Sequence, residues 1–203
     1  MKKLFYFIAL ILITITFVSC NNEDNVSMYY KTDENGFVFY DNGNDDECYL
    51  VSYNGLEDNL VLPEYYDGHS YYVGTAALRD YSCKTITIPD TVTKISDAAF
   101  ELNERLESVI IGDGVKEIGT GAFDGCKNLL TVTIGSGVDY MGKRVFRRCT
   151  NLSTVTFKNQ SYWYLVDDEY NRELVDLSND VENASKLKKN WLNDYLYRFD
   201  EEL

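Results

Sequence analysis

The fold is decided by the stretch VIIGDGVKEIGTGAF at residues 109–123, whose apolar pattern recurs 23 residues earlier and 23 residues later. Phe100, Phe123 and Phe146 mark the same position in the three copies. A fixed period of this length is typical of a solenoid, in which one unit cannot bury its apolar face alone and stacks on its neighbours. We therefore expect a shaped binding surface without a built-in catalytic cleft.

Each copy reads as a short strand followed by a turn. Ile, Val and Thr alternate with a period of two at the start of each copy, and Pro89, Gly112 and Gly135 end the strand. An L-x-x-V-x-I segment appears once per period, which is the pattern of leucine-rich repeats. The sequence thus predicts an α/β fold, a leucine-rich-repeat solenoid of period 23 with short parallel strands, over residues 60–157.

Two consecutive stretches carry a family resemblance. IPDTVTKISDAAF at residues 88–100 and IGDGVKEIGTGAFDGCKNL at residues 111–129 closely resemble the BspA-like leucine-rich repeat family, and the resemblance covers about Leu60 to Phe157. It implies a bacterial surface lipoprotein. Some members of this family act as adhesins for host matrix proteins or for other bacteria, so the resemblance implies a non-enzymatic, adhesin-like binding function.

The N-terminal end departs from the repeat, because a terminal unit would otherwise expose the core and a strand edge. Residues 36–59 are predicted to form a β-hairpin cap. Its two strands are expected at Phe37–Tyr40 and Cys48–Tyr53, around the polar turn Asp41–Glu47. We interpret that turn as solvated, since it lacks the ligand alternation of a calcium-binding loop.

The C-terminal end departs from the repeat as well. Residues 158–203 are predicted to form a cap that contains a helix at about 183–199, with Asn183 as its N-cap. One apolar stripe runs along this helix at four-residue spacing: Leu187, Trp191, Tyr195 and Phe199. We expect this stripe to cover the last coil as a lid, and a groove for a partner helix is the alternative.

The first twenty residues predict the compartment. Residues 1–19 resemble a lipoprotein signal peptide, because two lysines precede the apolar run Leu4–Val18, which is too short for a comfortable membrane span. Cys20 ends this run as the lipidated residue of a bacterial lipobox would. Residues 20–35 are then a flexible tether, and we expect a cell-envelope protein at the outer membrane or cell surface that contacts the membrane through its lipid anchor only.

Composition excludes several function classes. The formal net charge is −14 at pH 7, so the surface repels phosphate backbones and nucleic-acid binding is not expected. The chain has a single histidine, His69, in a predicted turn, so we expect neither a serine triad nor a zinc site that needs several histidines. We predict no catalytic residues, no metal and no cofactor. Cys126 and Cys149 stack one period apart, within disulfide range, and we favour unpaired thiols because neighbouring side chains in such a ladder point in parallel.

The strand face opposite the core is the candidate binding surface. Residues that alternate with the buried positions of the repeat strands are Thr85, Thr87, Ser108, Ile110, Thr131, Thr133, Thr154 and Thr156. We expect them to form a flat sheet of hydroxyl and methyl groups that binds a host matrix protein or a bacterial surface protein. The same array also follows simply from the preference of threonine for exposed strand positions.

Other readings of the function remain open at this point. The alternatives are a glycan-capture lipoprotein and a passive envelope scaffold. The tyrosine-rich loop at residues 65–72 offers rings for a sugar or a protein, although packing in the cap is its simpler use. Thr120 and Asp124 are expected on the opposite side of the column, in contact with solvent.

Overall fold

The computed structural model describes residues 30–43, 48–160, 162–189 and 194–199, and it shows a solenoid of about five coils. Each repeat contributes strands to two sheets, whose inner faces share one hydrophobic core. The predicted leucine-rich-repeat fold is therefore confirmed. Within the described ranges, no helix has the length and the apolar composition that crossing a membrane requires.

One sheet has five strands and is parallel throughout. Its strands are β4 (Asn59–Val61), β6 (Thr85–Ile88), β8 (Ser108–Ile111), β10 (Thr131–Ile134) and β12 (Thr154–Phe157). They lie in chain order from β4 to β12. The register pairs residues one repeat apart, such as Val132 with Val109 and with Val155, so the 23-residue period of the sequence is also the register of the sheet.

The other sheet has ten strands. In spatial order these are β1 (Tyr30–Thr32), β2 (Phe37–Tyr40), β3 (Tyr49–Tyr53), β5 (Tyr72–Val73), β7 (Lys94–Ile95), β9 (Glu117–Ile118), β11 (Tyr140–Met141), β15 (Tyr195–Arg198), β13 (Trp163–Val166) and β14 (Arg172–Leu174). The pairs from β3 to β11 are parallel, as a solenoid requires, and the pairs at both ends are antiparallel. The caps therefore extend this sheet and leave the five-stranded one unextended.

A ladder of phenylalanine rings runs through the centre of the column. The ring centroids of Phe100 and Phe123 are 5.1 Å apart with planes 5° from parallel, and those of Phe123 and Phe146 are 5.6 Å apart at 11°. All three side chains are completely buried. The 23-residue spacing thus places one ring of each coil directly on the ring of the next.

The coils approach most closely at the turn after each long strand. A Cβ atom at Gly114 would lie 1.7 Å from the backbone oxygen of Asp90 in the preceding coil, and one at Gly137 would lie 1.9 Å from that of Asp113. No side chain fits at such distances, so these two glycines are required by close backbone approach.

The N-terminal cap contains the predicted hairpin and one further strand. β2 and β3 pair antiparallel, as expected, and β1 pairs antiparallel with β2. The expectation that the tether extends through residues 20–35 is wrong in its second part, because β1 begins at Tyr30. A salt bridge of 2.8 Å between Lys31 and Asp41 and an edge contact between the rings of Tyr30 and Tyr40 hold this strand.

The C-terminal helix is shorter than predicted and begins earlier. α1 spans Asp180–Lys189, and the segment that was expected to continue it forms β15. The last third of the predicted helix 183–199 is therefore wrong, because pairing with β11 and β13 on both sides favours an extended chain there. Trp191 lies outside the described residues.

The helix cap is also one turn upstream of the predicted position. The side-chain oxygen of Asn179, rather than that of Asn183, accepts hydrogen bonds from the amides of Val181 (3.2 Å) and Glu182 (3.1 Å). Asn183 is instead buried inside the helix.

α1 covers the last coil, but of the stripe predicted for this lid Leu187 lies on the helix, whereas Tyr195 lies in β15 and Phe199 directly follows that strand. Leu187 is buried against the core, and the Asn183 amide donates hydrogen bonds to the backbone oxygens of Val155 (3.1 Å) and Leu177 (2.8 Å). The Lys188 ammonium donates to the backbone oxygen of Leu152 at 2.6 Å. Because Val155 lies in the edge strand β12, this contact satisfies a carbonyl that would face the next coil of a longer solenoid.

Asp124 is not on the solvent side of the column, and this corrects the sequence expectation. Its side chain is buried and accepts hydrogen bonds from the guanidinium groups of Arg147 (2.7 Å) and Arg148 (2.8 Å). The same contacts raise the pKa of Arg148, with the hydrogen bond as the largest cause. Thr120 is exposed, as expected.

Candidate ligand-binding surfaces

The outer side of the five-stranded sheet carries the residues selected from the sequence. We call this surface the threonine face: Thr85, Thr87, Ser108, Ile110, Thr131, Thr133, Thr154 and Thr156. All eight side chains are exposed or half-buried, whereas the residues that alternate with them are buried. The alternation predicted from the sequence is therefore present on every repeat strand, because side chains of a strand point to opposite sides of the sheet in turn.

The register divides the threonine face into two rows of different chemistry. One row consists of Asn59, Thr85, Ser108, Thr131 and Thr154. Its hydroxyl groups bond sideways along the row: Thr85 donates to the Asn59 side-chain oxygen and Thr131 donates to the Ser108 hydroxyl, both at 3.0 Å. This row is polar and partly satisfied within the protein.

The second row is more apolar. It consists of Val61, Thr87, Ile110, Thr133 and Thr156. Val61 is 61% exposed and Ile110 is 47% exposed. Thr87 lies between them, and Thr133 and Thr156 continue the row, each with one methyl group on a half-buried side chain. A flat surface with a methyl strip beside a hydroxyl strip suits a protein ligand, since protein interfaces combine apolar contact with about one hydrogen bond per 100–200 Å².

The two ends of the threonine face differ. At its C-terminal end the Thr156 hydroxyl is hydrogen-bonded to the Asp180 carboxylate at the start of α1. The hydroxyl of Thr156 is therefore engaged by the cap. At the N-terminal end Asn59 and Val61 extend the two rows onto β4, and the sequence analysis did not include them.

The ten-stranded sheet carries a second surface that the sequence analysis missed. One residue from each strand lies in register across it, and we call this set the tyrosine row: Tyr30, Tyr40, Tyr49, Tyr72, Lys94, Glu117, Tyr140, Tyr197, Tyr164 and Leu174. Tyr164 is buried, with its ring against that of Phe199. Two blocks of tyrosines flank a salt bridge of 3.0 Å between Lys94 and Glu117. The sequence did contain a signal for this row, because Tyr72 and Tyr140 occupy the same position of the repeat as Lys94 and Glu117.

Tyr140 and Tyr197 of this row line a pocket. Five aromatic side chains form it, and we call it the aromatic pocket: Tyr140, Tyr170, Tyr195, Tyr197 and Phe199. Its volume is about 430 Å³, within the range of small-molecule sites. Burial is the main cause that raises the pKa of Tyr140 and of Tyr197 above the ordinary phenol value. Phenols are protonated at neutral pH even without such a shift, so both can donate hydrogen bonds.

The tyrosine-rich loop at residues 65–72 serves mainly the cap. Tyr71 is buried and its hydroxyl donates to the backbone oxygen of Pro63 at 2.6 Å. The Tyr66 ring stacks on Phe39 with centroids 4.3 Å apart, and Tyr72 stacks on Tyr49. Tyr65 alone among these four tyrosines is largely exposed, at 52%.

Residues with metal-binding or nucleophilic chemistry do not gather on either surface. Across the described ranges, no group of three or more His, Cys, Asp or Glu side chains could hold a metal ion. Cys48, Cys83, Cys126 and Cys149 are free thiols and are buried. Burial raises the pKa of Cys83 to about 12 and that of Cys48 to about 11. A thiol with so high a pKa is a poor nucleophile at neutral pH.

The predicted ladder of unpaired thiols is present. The Cys149 thiol donates to the backbone oxygen of Phe123 at 3.1 Å, and the Cys126 thiol donates to that of Phe100 at 3.3 Å. Asn103 makes the equivalent contact with Leu78 at 2.7 Å one coil earlier. Each side chain of the ladder thus donates to a backbone oxygen of the preceding coil, at the repeat position held by Phe100, Phe123 or, in the first of these coils, Leu78.

Comparison with protein families agrees with this architecture. Residues 71–165 match the model of the BspA type leucine rich repeat region in six copies. This repeat region therefore belongs to the BspA-type leucine-rich repeat family, which confirms the resemblance seen in the sequence. No curated protein matches the chain with significant similarity.

Solved structures show the same fold. The chain is similar to the leucine-rich repeat protein of T. pallidum, with a TM-score of 0.52 and 23% identity over 64% of this chain and 61% of that one. A leucine-rich repeat protein from Bacteroides capillosus gives a TM-score of 0.52 and 21% identity over 63% of this chain and 98% of that one. The pneumococcal vaccine antigen PcpA gives 0.52 and 17% over 66% and 40%. At these identities the likeness concerns the fold alone, and the match spans less than two thirds of the T. pallidum protein.

Proposed function

We propose that this protein is a non-enzymatic, adhesin-like binding module of the bacterial cell surface, and that the threonine face contacts a protein ligand. The repeat family is typically non-enzymatic, and a leucine-rich-repeat surface suits protein binding in general. The ligand is a host matrix protein or a bacterial surface protein. Glycan capture and a passive scaffold role are the competing functions.

The exposed methyl strip is the observation that carries the proposal. Val61 and Ile110 present apolar side chains to solvent in one row of an otherwise hydroxyl-rich face. Burying such groups in an interface is favourable, at about 25 cal/mol per Å² of apolar surface removed from water. The adjacent polar row supplies hydrogen-bond donors and acceptors that orient a partner.

A lysine scan tests the face. The chain from Asn21 to Leu203, which retains every described strand and helix, is screened against matrix proteins and bacterial surface proteins. Ile110→Lys and Thr133→Lys should then weaken binding of any captured protein, because a buried unpaired ammonium costs several kcal/mol. Thr120→Lys is the matched control and should bind as the unmodified chain does. Folding of all three variants should change by no more than about 0.5 kcal/mol.

The outcomes separate the competing functions. Loss of protein binding in the two face variants, with the control unaffected, supports the threonine face. If all three variants bind as tightly as the unmodified chain, the threonine face is not the binding surface. A screen that returns no protein ligand would favour a scaffold.

The lipid anchor is a separate part of the proposal. The N-terminal sequence supports it, since an apolar run is followed by Cys20 and a polar stretch. Cys20→Ala should abolish incorporation of a labelled fatty acid and move the protein out of the membrane fraction. Labelling that persists in this variant would show that Cys20 is not the lipidated residue.

A further inference from the structure

The aromatic pocket lies on a different sheet from the threonine face, so it offers a second and independent binding surface. β11 provides Tyr140 and β15 provides Tyr195 and Tyr197, while the hairpin between β13 and β14 provides Tyr170. The rings form one cluster: the centroids of Tyr140 and Tyr197 are 4.9 Å apart, and those of Tyr140 and Tyr195 are 5.9 Å apart.

The cations near the pocket are already placed on its rings. The Lys143 ammonium lies 4.7 Å from the centroid of the Tyr195 ring, and the Arg172 guanidinium lies 5.0 Å from that of Phe199. Lys143 also forms a salt bridge of 2.5 Å with Asp168. The Tyr195 and Phe199 rings, which could each bind a cationic ligand through a cation–π contact, therefore already have a cation of the protein beside them.

The remaining carboxylate of the pocket is engaged by the hairpin. Asp167 accepts hydrogen bonds from the amides of Glu169 and Asn171, both at 2.9 Å, and from the Asn171 side chain at 2.8 Å. The hydrogen bond from the Asn171 side chain, followed by those from the two backbone amides, lowers the pKa of Asp167. Asp167 is held by hydrogen-bond donors of the turn and Asp168 is paired with Lys143, so both carboxylates that line the pocket already have partners within the protein.

The hairpin holds one ring out into solvent. Tyr170 is 83% exposed and has a φ of 63°, a left-handed conformation that a tyrosine adopts only under constraint. The backbone amide of Tyr170 donates to the backbone oxygen of Asp167 at 3.1 Å and closes the turn. The turn thus fixes the backbone from which the exposed Tyr170 ring extends at the rim of the pocket.

We propose that the aromatic pocket binds a short, neutral oligosaccharide. A pyranose ring has an apolar C–H face, which stacks on aromatic rings, and an edge of hydroxyl groups, which need both donors and acceptors. The five rings supply the apolar contact, and the phenol groups of the four tyrosines supply hydrogen-bonding groups. The pocket is concave and largely aromatic, and its carboxylates and two of its rings already have partners within the protein, so these features favour a neutral, amphipathic ligand over a cation.

The test measures sugar binding by the chain from Asn21 to Leu203. Neutral cello-, malto-, galacto- and manno-oligosaccharides are titrated and followed by calorimetry and by NMR of ring-labelled tyrosine, which detects weak binding. At least one neutral series should bind, with an affinity that is unchanged between low and high salt. Tyr170→Ala should weaken it about tenfold, the loss expected from one stacking ring. Tyr65→Ala removes a similarly exposed tyrosine outside the pocket and should have no effect.

Each outcome decides the proposal. Absence of binding to all neutral series, or equal binding by Tyr170→Ala and the unmodified chain, would overturn it. Binding restricted to charged glycans and lost at high salt would also overturn it, because that ligand would be ionic. Since Tyr170 is exposed, its truncation should leave the fold intact, and unchanged thermal unfolding confirms this. Ile110→Lys should leave sugar binding unchanged, so the pocket and the threonine face can fail separately.

Discussion

Truncation of the central ring of the phenylalanine ladder tests whether the coils act as a stacked column. Phe123→Ala removes a completely buried side chain that has a ring on each side, Phe100 at 5.1 Å and Phe146 at 5.6 Å. Burial and the resulting cavity alone give a loss of about 3–5 kcal/mol for Phe→Ala. Each stacked pair adds about 0.5–1.5 kcal/mol. The total approaches the stability of a typical domain, about 5–15 kcal/mol.

The outer ring of the ladder provides the comparison. Phe146 is as deeply buried as Phe123, but among the described residues Phe123 is the one phenylalanine on which it stacks. Phe146→Ala should therefore cost about 0.5–1.5 kcal/mol less than Phe123→Ala, the worth of one ring pair. Leu56→Ala, at an exposed position, should change stability by no more than about 0.5 kcal/mol.

Urea unfolding of the chain from Asn21 to Leu203 measures all three variants. Linear extrapolation gives the free energy of unfolding, and an unchanged slope shows that the same surface is exposed on unfolding. If Phe146→Ala destabilises the chain as much as Phe123→Ala or more, ring stacking does not add along the column. If Phe123→Ala leaves the urea midpoint of unfolding unchanged, the register that places the three rings on one another is wrong.

Two further predictions follow from buried polar groups. Without a reductant, the native chain from Asn21 should be unreactive towards a thiol reagent at pH 8, and in denaturant it should show four thiols; two thiols would mean that Cys126 and Cys149 are paired. Asp124→Ala should lower the free energy of unfolding by about 2–3 kcal/mol, because charge-assisted hydrogen bonds to Arg147 and Arg148 are lost. Glu104→Ala breaks an exposed pair instead and should cost less than about 1 kcal/mol, so equal thermal shifts would contradict the role given to burial.

The repeat region could be predicted in detail because its information is local and repeated. The same apolar positions occur every 23 residues, so one unit predicts the inward and outward residues of the next. Ile86, Val109, Val132 and Val155 are all buried, and the residues directly before and after each of them in its strand face outward, as the alternation indicated. An ambiguous assignment in one repeat can therefore be resolved by comparison with the equivalent positions of the neighbouring repeats.

The C-terminal cap could not be predicted as well, because its residues occur once. Leu187, Tyr195 and Phe199 fit a helical stripe, but Tyr195 and Tyr197 fit a strand equally well by alternation. Pairing of β15 between β11 and β13 decides between the two, and such long-range pairing leaves no trace in a single window of sequence. The burial of Asp124 was missed for a similar reason, since its arginine partners lie one coil away.

The C-terminal cap both covers the last coil and contributes residues to the aromatic pocket. A solenoid must end in a cap that protects its last coil. On the five-stranded sheet this is done by α1, which engages β12 through Asn183 and ends the threonine face. On the ten-stranded sheet it is done by β15, which continues the sheet beyond β11 and brings Tyr195 and Tyr197 beside Tyr140.

The repeats alone would not produce this cluster, because the equivalent position holds Lys94 and Glu117 in the coils before β11. A longer array of such units would extend the threonine face by one strand per coil, whereas the aromatic pocket exists only where the C-terminal cap meets the last short strand. The affinity of the threonine face should therefore depend on the number of coils, and that of the pocket should not. A chain from which one internal repeat, residues 109–131, is deleted in register should retain sugar binding and lose part of its protein binding. Equal loss at both surfaces would show that they are not independent.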